Sequence, residues 1–265
     1  MKKTLKNAQK GKYAIGQFNF SSLVQLRGIL DAAKRLKAPI ILGTSQGELK
    51  HLGLEEVVAL VEISKAKYGV KAFLNLDHGT DLDLIKKCVD YGFSSVHFDG
   101  SGLPLEKNRE YAKTIVQYAH KKGVLVEGEI DAIGKGLTSS KEAKDFVKRT
   151  GVDSLAVAIG SVHGIKKVKL NLTELKDMPN VFLVLHGGSG ISKREIRKAT
   201  KLGIVKININ TELRVAWKKG LEKALKGKEI KPYRVMPSVQ KAIQRKVEEK
   251  IKLFGSVKKW TKKTF

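Results

Sequence analysis

The sequence predicts an α/β protein, a (βα)8 TIM barrel with an additional C-terminal helix. Strand-like and helix-like segments alternate along the whole chain, and the strand-like segments are mostly continuous apolar runs. Such runs are typical of parallel strands that are buried on both faces. Eight βα units are the number that closes a barrel, and no Pro/Gly/Ser-rich linker interrupts them. We therefore expect residues 1–265 to form a single barrel domain.

Each predicted element follows from its local pattern. The strands are expected at residues 14–19, 39–43, 72–77, 94–99, 124–130, 154–159, 181–186 and 204–210. Amphipathic patterns predict helices at residues 23–36, 54–68, 82–91, 105–122, 141–150, 192–201 and 212–226, with a last helix at 238–254. A doubly wound nucleotide-binding sheet is the alternative. It would need a glycine-rich turn after the first strand, and residues 19–22 (NFSS) contain no glycine.

The composition limits the cellular location and the partners that we expect for the protein. Cys88 is the only cysteine, which excludes internal disulfides and favours a reduced, cytoplasmic location. No segment approaches the roughly 20 apolar residues of a membrane-spanning helix, so no membrane partner is expected. The formal charge of +26 would attract anions, including nucleic acid. Lysines are scattered over the predicted helices rather than gathered into one block, which argues against specific nucleic-acid binding and favours solvated helix faces.

Three histidines each follow a strand-like run and precede a glycine: His78 in NLDHG, His163 in GSVHG and His186 in LVLHGGSG. Catalytic residues of such barrels sit where strands end, so these side chains are expected on one rim. Three neutral imidazoles leave open positions on a bound zinc ion, as in catalytic sites. Each histidine alone is as readily an ordinary strand-end residue, but the three together indicate a metal site.

Other polar residues fall at the same predicted rim. Glu129 is a fourth or interchangeable metal ligand in this interpretation, and Glu127 is expected to hold a histidine ring in its correct tautomer. Ion pairs with lysines are the alternative for both glutamates. His97 lies inside the fourth strand, where a buried core histidine is more usual than a ligand. His51 is expected in a loop and His120 in a helix, both as solvated side chains.

Two turns on adjacent strands are candidates for binding phosphate. Residues 186–192 (HGGSGIS) supply backbone N–H groups before a predicted helix, and residues 209–213 (INTEL) place Thr211 at the start of another. Either turn alone is more usually a tight connection. Their pairing beside a candidate metal site favours an anion site, which the loops after strands seven and eight often form.

The motifs NLDHG, SVHFDGS, VEGEI, AVAIGSVHG, LVLHGGSGI, KININTEL and KIKLFGS resemble those of the zinc-dependent class II ketose-bisphosphate aldolases, which include fructose- and tagatose-bisphosphate aldolases. The resemblance covers nearly the whole chain, in the family's order. It implies a cytoplasmic, homodimeric or homotetrameric enzyme of carbohydrate metabolism and glycolysis. It also implies a phosphorylated sugar substrate, Zn²⁺ or another divalent metal as cofactor, and a monovalent cation.

The resemblance also assigns roles by position. His78, His163 and His186 match the zinc histidines, Glu129 the alternate metal-binding glutamate, and Asp77 the aspartate that exchanges a proton with the C4 hydroxyl. The positions that match substrate, phosphate or monovalent-cation contacts are Asn19, Ser45, Gly164, Lys167, Gly187, Ser189, Asn208, Asn210 and Thr211. Arg234 matches an arginine that reaches a partner subunit's site. In such enzymes zinc polarises the substrate carbonyl, so no Schiff-base lysine is needed.

One departure from the family pattern concerns proton transfer. After the fifth strand, Gly134 and the residues behind it lead directly into the next helix, so the loop is shorter by about ten residues. No residue clearly replaces the loop glutamate that moves the C3 proton in the family, because Glu142 fits the following helix. The leading hypothesis is an aldolase that reversibly cleaves fructose 1,6-bisphosphate. The alternative is a weakened barrel that binds metal and phosphorylated sugars without efficient aldol chemistry, and a basic nucleic-acid scaffold is the third hypothesis.

Overall fold

Eight parallel strands form a closed barrel in the computed structural model, which describes residues 1–134, 136–162, 164–165 and 168–260. The strands follow one another around the barrel in chain order, and β8 pairs with β1. They are β1 Ile15–Asn19, β2 Ile40–Ser45, β3 Ala72–Gly79, β4 Ser95–Asp99, β5 Leu125–Glu129, β6 Ser154–Ala156, β7 Phe182–Leu185 and β8 Ile204–Ile209. Each predicted strand overlaps one of these, so the predicted TIM barrel is confirmed.

Helices cover the outside of the barrel in the described part of the chain. They are α1 Lys2–Gly11, α2 Leu23–Leu36, α3 Gln46–Leu52, α4 Leu54–Tyr68, α5 Leu82–Asp90, α6 Leu105–His120, α7 Ser140–Thr150, α8 Lys193–Lys201, α9 Thr211–Ala224 and α10 Pro232–Phe254, with a short 3₁₀ turn at Thr173–Lys176. All eight predicted helices are present, including the additional C-terminal one. None of the helices in these ranges has the length and apolar character of a membrane span.

Two helices, α1 and α3, were not predicted from the sequence. Helix α1 is rich in lysine, yet it buries Leu5 and Ala8 against Ile15, Leu125 and Phe182 at the N-terminal end of the barrel. It therefore closes the end of the barrel opposite the carboxyl ends of the strands.

Helix α3 follows β2 directly and begins with a reciprocal cap. The Ser45 side chain accepts from the backbone N–H of Glu48, and the Glu48 carboxylate accepts from the backbone N–H of Ser45. This capping box satisfies two backbone donors at the start of the helix. The expectation that His51 lies in a loop is wrong, because His51 belongs to α3, whereas His120 ends α6 as expected.

Helix α10 begins six residues before the predicted start, at Pro232 rather than at residue 238. Proline is favoured in the first turn of a helix, and Pro237 removes only one backbone hydrogen bond near that end. The helix packs closely on α2 at Gly28, where an added Cβ would stand 2.8 Å from the Gln240 carbonyl oxygen. The assignment of residues 1–265 to a single domain stays a prediction.

Candidate metal centre and substrate cleft

A bulge in β3 aims the first histidine into the mouth of the barrel. Leu76 pairs with Val96 on β4, but Gly79 pairs with Phe98, so β3 contains one extra residue over this interval. Two residues, Asp77 and His78, therefore lie opposite the single residue His97. His78 has a left-handed backbone with a φ of 49°. Bulges of this kind redirect side chains beside active sites.

Carboxylates bind one nitrogen of each of two histidine rings. His78 Nδ1 lies 2.7 Å from Asp99 Oδ2, and His186 Nε2 lies 2.8 Å from Glu127 Oε1. An ionised carboxylate only accepts, so both nitrogens donate. The remaining nitrogens, His78 Nε2 and His186 Nδ1, face each other at 2.9 Å. Carboxylate–histidine pairs of this kind orient metal-binding imidazoles in proteins.

The carboxylates beneath the rings are held in their ionised form. Burial alone would raise the pKa of Glu127, but the charge of Lys206 and the hydrogen bond from His186 lower it well below its usual range. Lys206 Nζ lies 2.5 Å from Glu127 Oε2, and both side chains are buried. Burial likewise opposes the ionisation of Asp99, but the hydrogen bond from His78 lowers its pKa strongly.

A proton lies between the two rings in the metal-free protein. Burial would lower the pKa of His78, but its hydrogen bond to Asp99 and the charge of Asp77 raise it to about 9. The pKa of His186 is lowered, chiefly by burial. At neutral pH His78 is therefore the charged ring, and its Nε2–H donates to His186 Nδ1. A metal ion bound by these two nitrogens would replace that proton.

The donor atoms fit a divalent metal. Single ligand atoms of Asp77, His78, His97 and His186 lie within 4.8 Å of one another, as do those of His78, Asp99 and Glu129. Two imidazoles whose other nitrogens are held by carboxylates, next to further carboxylates, suit zinc and related ions. His163, the third predicted zinc histidine, lies outside the described residues, and so does Lys167.

Asp77 lies beside the candidate metal ligands and is held by two amide groups. Its two carboxylate oxygens accept from Asn19 Nδ2 and Asn208 Nδ2, each at 2.9 Å. Burial would raise the pKa of Asp77, but the charges of His78 and His186 lower it to about 2. The side chain is therefore a fixed, ionised carboxylate that can accept a proton from a bound molecule.

The two predicted phosphate loops are joined to each other. Gly190 N donates to Glu212 Oε1 at 3.0 Å, and Glu212 N donates to Ser189 Oγ at 3.4 Å. Gly187 has a φ of 63°, and an added Cβ would stand 2.5 Å from the Val162 carbonyl oxygen. This close approach requires glycine. The loops after β7 and β8 therefore form one shared wall.

A cleft of about 210 Å³ opens among these groups. Its lining includes ten of the predicted site residues, namely Ser45, Asp77, His78, Gly164, His186, Gly187, Ser189, Asn208, Asn210 and Thr211. Asn19 lies behind the lining, where it contacts Asp77. Glu129 is buried nearby, with Oε2 3.7 Å from His78 Nδ1. The fold therefore brings the described predicted residues to one end of the barrel.

The loop after β5 is short, and its described part is fastened to the residues that follow β6. Thr138 Oγ1 donates to Asp131 Oδ2 at 2.8 Å and accepts from Ala158 N at 2.9 Å. Glu142 lies in the first turn of α7, where Ser139 Oγ donates to its carboxylate. Glu142 thus belongs to the first turn of the following helix, as the sequence indicated.

Sequence reasoning missed Arg214, which lines the cleft, and Glu48, which binds Arg214. Glu48 is buried and accepts from Asn19, Asn210 and Arg214, at 3.0, 3.2 and 3.0 Å. Arg214 lines the cleft. The first turn of α9 was a signal for Arg214, because it follows the predicted phosphate loop. Nothing in the sequence indicated that Glu48 would lie beside Arg214, 166 positions away.

The fold and the site together define the class: a (βα)8 barrel with a candidate divalent metal centre beside a cleft at the carboxyl ends of its strands. The family model for class II fructose-bisphosphate aldolase matches residues 1–259. The fructose-bisphosphate aldolase of Geobacillus stearothermophilus is 39% identical, over 97% of this chain and 96% of that protein. The 6-phospho-5-dehydro-2-deoxy-D-gluconate aldolase of Shouchella clausii is 40% identical, over 96% of this chain and 94% of that protein.

Among solved structures, the YdjI aldolase from Escherichia coli K12 is similar at a TM-score of 0.91 with 34% sequence identity, over 98% of both chains. The chain belongs to the class II fructose-bisphosphate aldolase family. Members of this family are metal-dependent carbon–carbon lyases that act on phosphorylated sugars. Membership therefore makes this chain an enzyme and implies a phosphorylated sugar as its substrate. The relatives carry the names of different substrates, which leaves the substrate of this chain open.

Proposed function

We propose that this protein is a zinc-dependent aldolase that reversibly cleaves a ketose 1,6-bisphosphate, in the first place fructose 1,6-bisphosphate. The products would be dihydroxyacetone phosphate and glyceraldehyde 3-phosphate. The observation that carries the proposal is the position of Asp77, an ionised carboxylate held by two amides in the same cleft as two facing imidazole nitrogens. A bound divalent metal supplies an electrophile that polarises a ketone carbonyl at this place.

The chain's own residues supply the other parts of the reaction. Asp77 accepts the proton of the C4 hydroxyl as the carbon–carbon bond breaks, and returns it in the condensation direction. Its amide donors, Asn19 and Asn208, hold the carboxylate in one orientation. The wall formed by Gly187 and Ser189 receives a phosphate, because backbone and hydroxyl donors are suited to anion oxygens.

The proposal also covers the metal ligands, the phosphate contacts and the oligomeric state. We propose His78, His163, His186 and Glu129 as the zinc-binding residues, with Lys167 and Gly164 beside the phosphate and a monovalent cation near the cleft. A homodimer or homotetramer in the cytoplasm is part of the proposal. Exposed apolar side chains just before α10 and in its first turn support an interface between subunits, since Ile230 is 88% exposed and Tyr233 is 69% exposed.

The test is a substrate panel with a matched variant. The purified protein is loaded with zinc and given fructose 1,6-bisphosphate, tagatose 1,6-bisphosphate or 6-phospho-5-dehydro-2-deoxygluconate, and the release of a triose or its phosphate is followed. Asp77→Asn keeps the side-chain shape but removes the base, so we expect a rate lower by about 10² to 10⁴ with metal content unchanged. Equal rates for the two proteins on every substrate would contradict the proposal.

A second candidate function follows from the short loop after β5. The described part of this loop is fastened through Thr138 to Ala158, just after β6, and Glu142 lies in the first turn of α7, where it accepts from Ser139. A barrel without a base for the C3 proton would bind metal and triose phosphate without enolisation. Exchange of the C3 proton of dihydroxyacetone phosphate with D2O, followed by NMR, separates the two functions: tight binding without exchange favours the second.

A further inference from the structure

We propose that His97 is a positioning residue of the metal centre, which holds the bulged segment of β3 and through it the ring of His78. The inference rests on the proposed metal site and adds a residue to it. His97 lies on β4, fully buried, directly opposite the two-residue bulge. Its Nδ1 accepts from the backbone N–H of His78 at 3.1 Å. A side chain therefore replaces the backbone partner that a bulge removes from the extra residue.

The backbone of His78 needs such support. A φ of 49° is unfavourable for a residue with a side chain, and it is more usual where a helix ends. Lys12 and Lys37 have similar φ values, but each is the C-cap residue that directly follows a helix. His78 lies within a strand. The hydrogen bond to His97 holds the backbone in the conformation that directs the His78 ring toward Asp99 and His186.

The same hydrogen bond fixes the tautomer of His97. Because Nδ1 accepts, a neutral ring carries its proton on Nε2. This nitrogen lies 3.3 Å from Glu129 Oε2, and neither atom has a hydrogen-bond partner among the described residues. The Nε2–H group thus faces the carboxylate that is proposed as an alternate metal ligand. His97 touches the metal centre on two sides, through the backbone of one proposed ligand and beside the carboxylate of another.

The tautomer of His97 indicates that this residue positions the metal ligands and is not a metal ligand itself. The ring centroid of His97 lies 4.8 Å from those of both His78 and His186, close enough to suggest a third imidazole ligand. A ligand nitrogen needs a free lone pair, however, and in this tautomer Nε2 carries hydrogen while Nδ1 is engaged by the backbone. His97 therefore supports the ligands without binding the metal itself.

Three variants distinguish the two ring nitrogens. Asn in place of His97 puts an acceptor oxygen near the position of Nδ1, Gln puts a polar group near that of Nε2, and Met provides neither. Zinc affinity is measured by competition with a chelator, without substrate, and the visible spectrum of the cobalt-loaded protein reports the ligand geometry. We expect His97→Asn to bind zinc within about threefold of the wild type, and His97→Gln and His97→Met to bind it about 10- to 100-fold more weakly. The cobalt spectrum of His97→Asn should match the wild type.

Several results would overturn the proposal. Retained affinity in His97→Gln with loss in His97→Asn would identify Nε2 as the functional atom, and unchanged affinity in all three would remove the role. Wild-type protein that binds zinc no better than His78→Ala would instead refute the metal centre. The tautomer can be tested without any variant, by ¹⁵N NMR of the histidine rings in the metal-free protein. A proton on Nδ1 of His97 would contradict the proposal even if the variants do not fold.

Discussion

Replacing Glu127 by Gln tests whether the buried ion pair under the metal centre sets the tautomer of His186. Glu127 accepts from Lys206 at 2.5 Å and from His186 at 2.8 Å, through different oxygens. Gln has one acceptor oxygen, and the charged donor Lys206 will take it because hydrogen bonds to charged groups are the stronger ones. The amide NH2 then faces His186 Nε2, which must accept, so that the ring proton moves to Nδ1, the atom that faces His78.

The expected losses of stability and of zinc affinity follow from the burial of these side chains. Lys206 is only 1% exposed, and removing one partner of a buried ion pair costs about 3–5 kcal/mol of the free energy of unfolding. For a protein of this size that loss corresponds to a lower Tm by about 6–20 °C. The affinity for zinc should fall about 10- to 100-fold, the usual effect of losing the group that orients a ligand.

The double variant Glu127→Gln, Lys206→Met is the matched control. Without the ammonium group, the amide oxygen is free to accept from His186 Nε2 again. We expect most of the lost Tm to return and zinc affinity to recover to within about tenfold of the wild type. Calorimetry of the metal-free proteins and chelator competition well below Tm measure the two effects. The reasoning is refuted if Glu127→Gln binds zinc as tightly as the wild type, or if the double variant gains nothing over the single one.

Two further predictions concern the proton that zinc displaces and the contacts of Glu48 with the residues around the cleft. Because the pKa of His78 is raised to about 9 in the metal-free protein, zinc must displace a proton at neutral pH, and its affinity should rise about tenfold per pH unit from 6.5 to 8.5. Chelator competition corrected for chelator protonation measures this, and a flat profile would argue against it. Glu48→Gln leaves too few acceptors for Asn19, Asn210 and Arg214, so KM should rise about tenfold with little change in kcat. Steady-state kinetics of the zinc-loaded variant measure both constants, and an unchanged KM would contradict this role of Glu48.

The barrel and the place of the site were predictable because they depend on local patterns. Continuous apolar runs mark the eight parallel strands, and polar residues at the ends of those runs must meet at one rim once the barrel closes. Asp77, His186 and Asn208 came together for this reason. Helix α1 was not predicted because its buried face consists of little more than Leu5 and Ala8, and so small an apolar face gives no clear helical pattern.

The fine geometry of the metal centre depends on pairing between strands, which no local pattern encodes. The bulge opposite His97 is a matter of register between β3 and β4, and a histidine inside a strand looks like any buried residue. Glu48 was hidden for a similar reason, since its partners come from β1 and from the start of α9. The assignments of His163 and Lys167 stay predictions.

The charge balance of the buried centre favours a divalent ion over a monovalent one. Asp77, Asp99, Glu127 and Glu129 place four formal negative charges around the two rings, and Lys206 neutralises one of them. A proton on His78 reduces the remaining three to two in the metal-free protein. A divalent ion in place of that proton reduces them to one, while a monovalent ion would change nothing. Burial makes uncompensated charge costly, so the same carboxylates that orient the rings also favour exchange of the proton for a doubly charged metal.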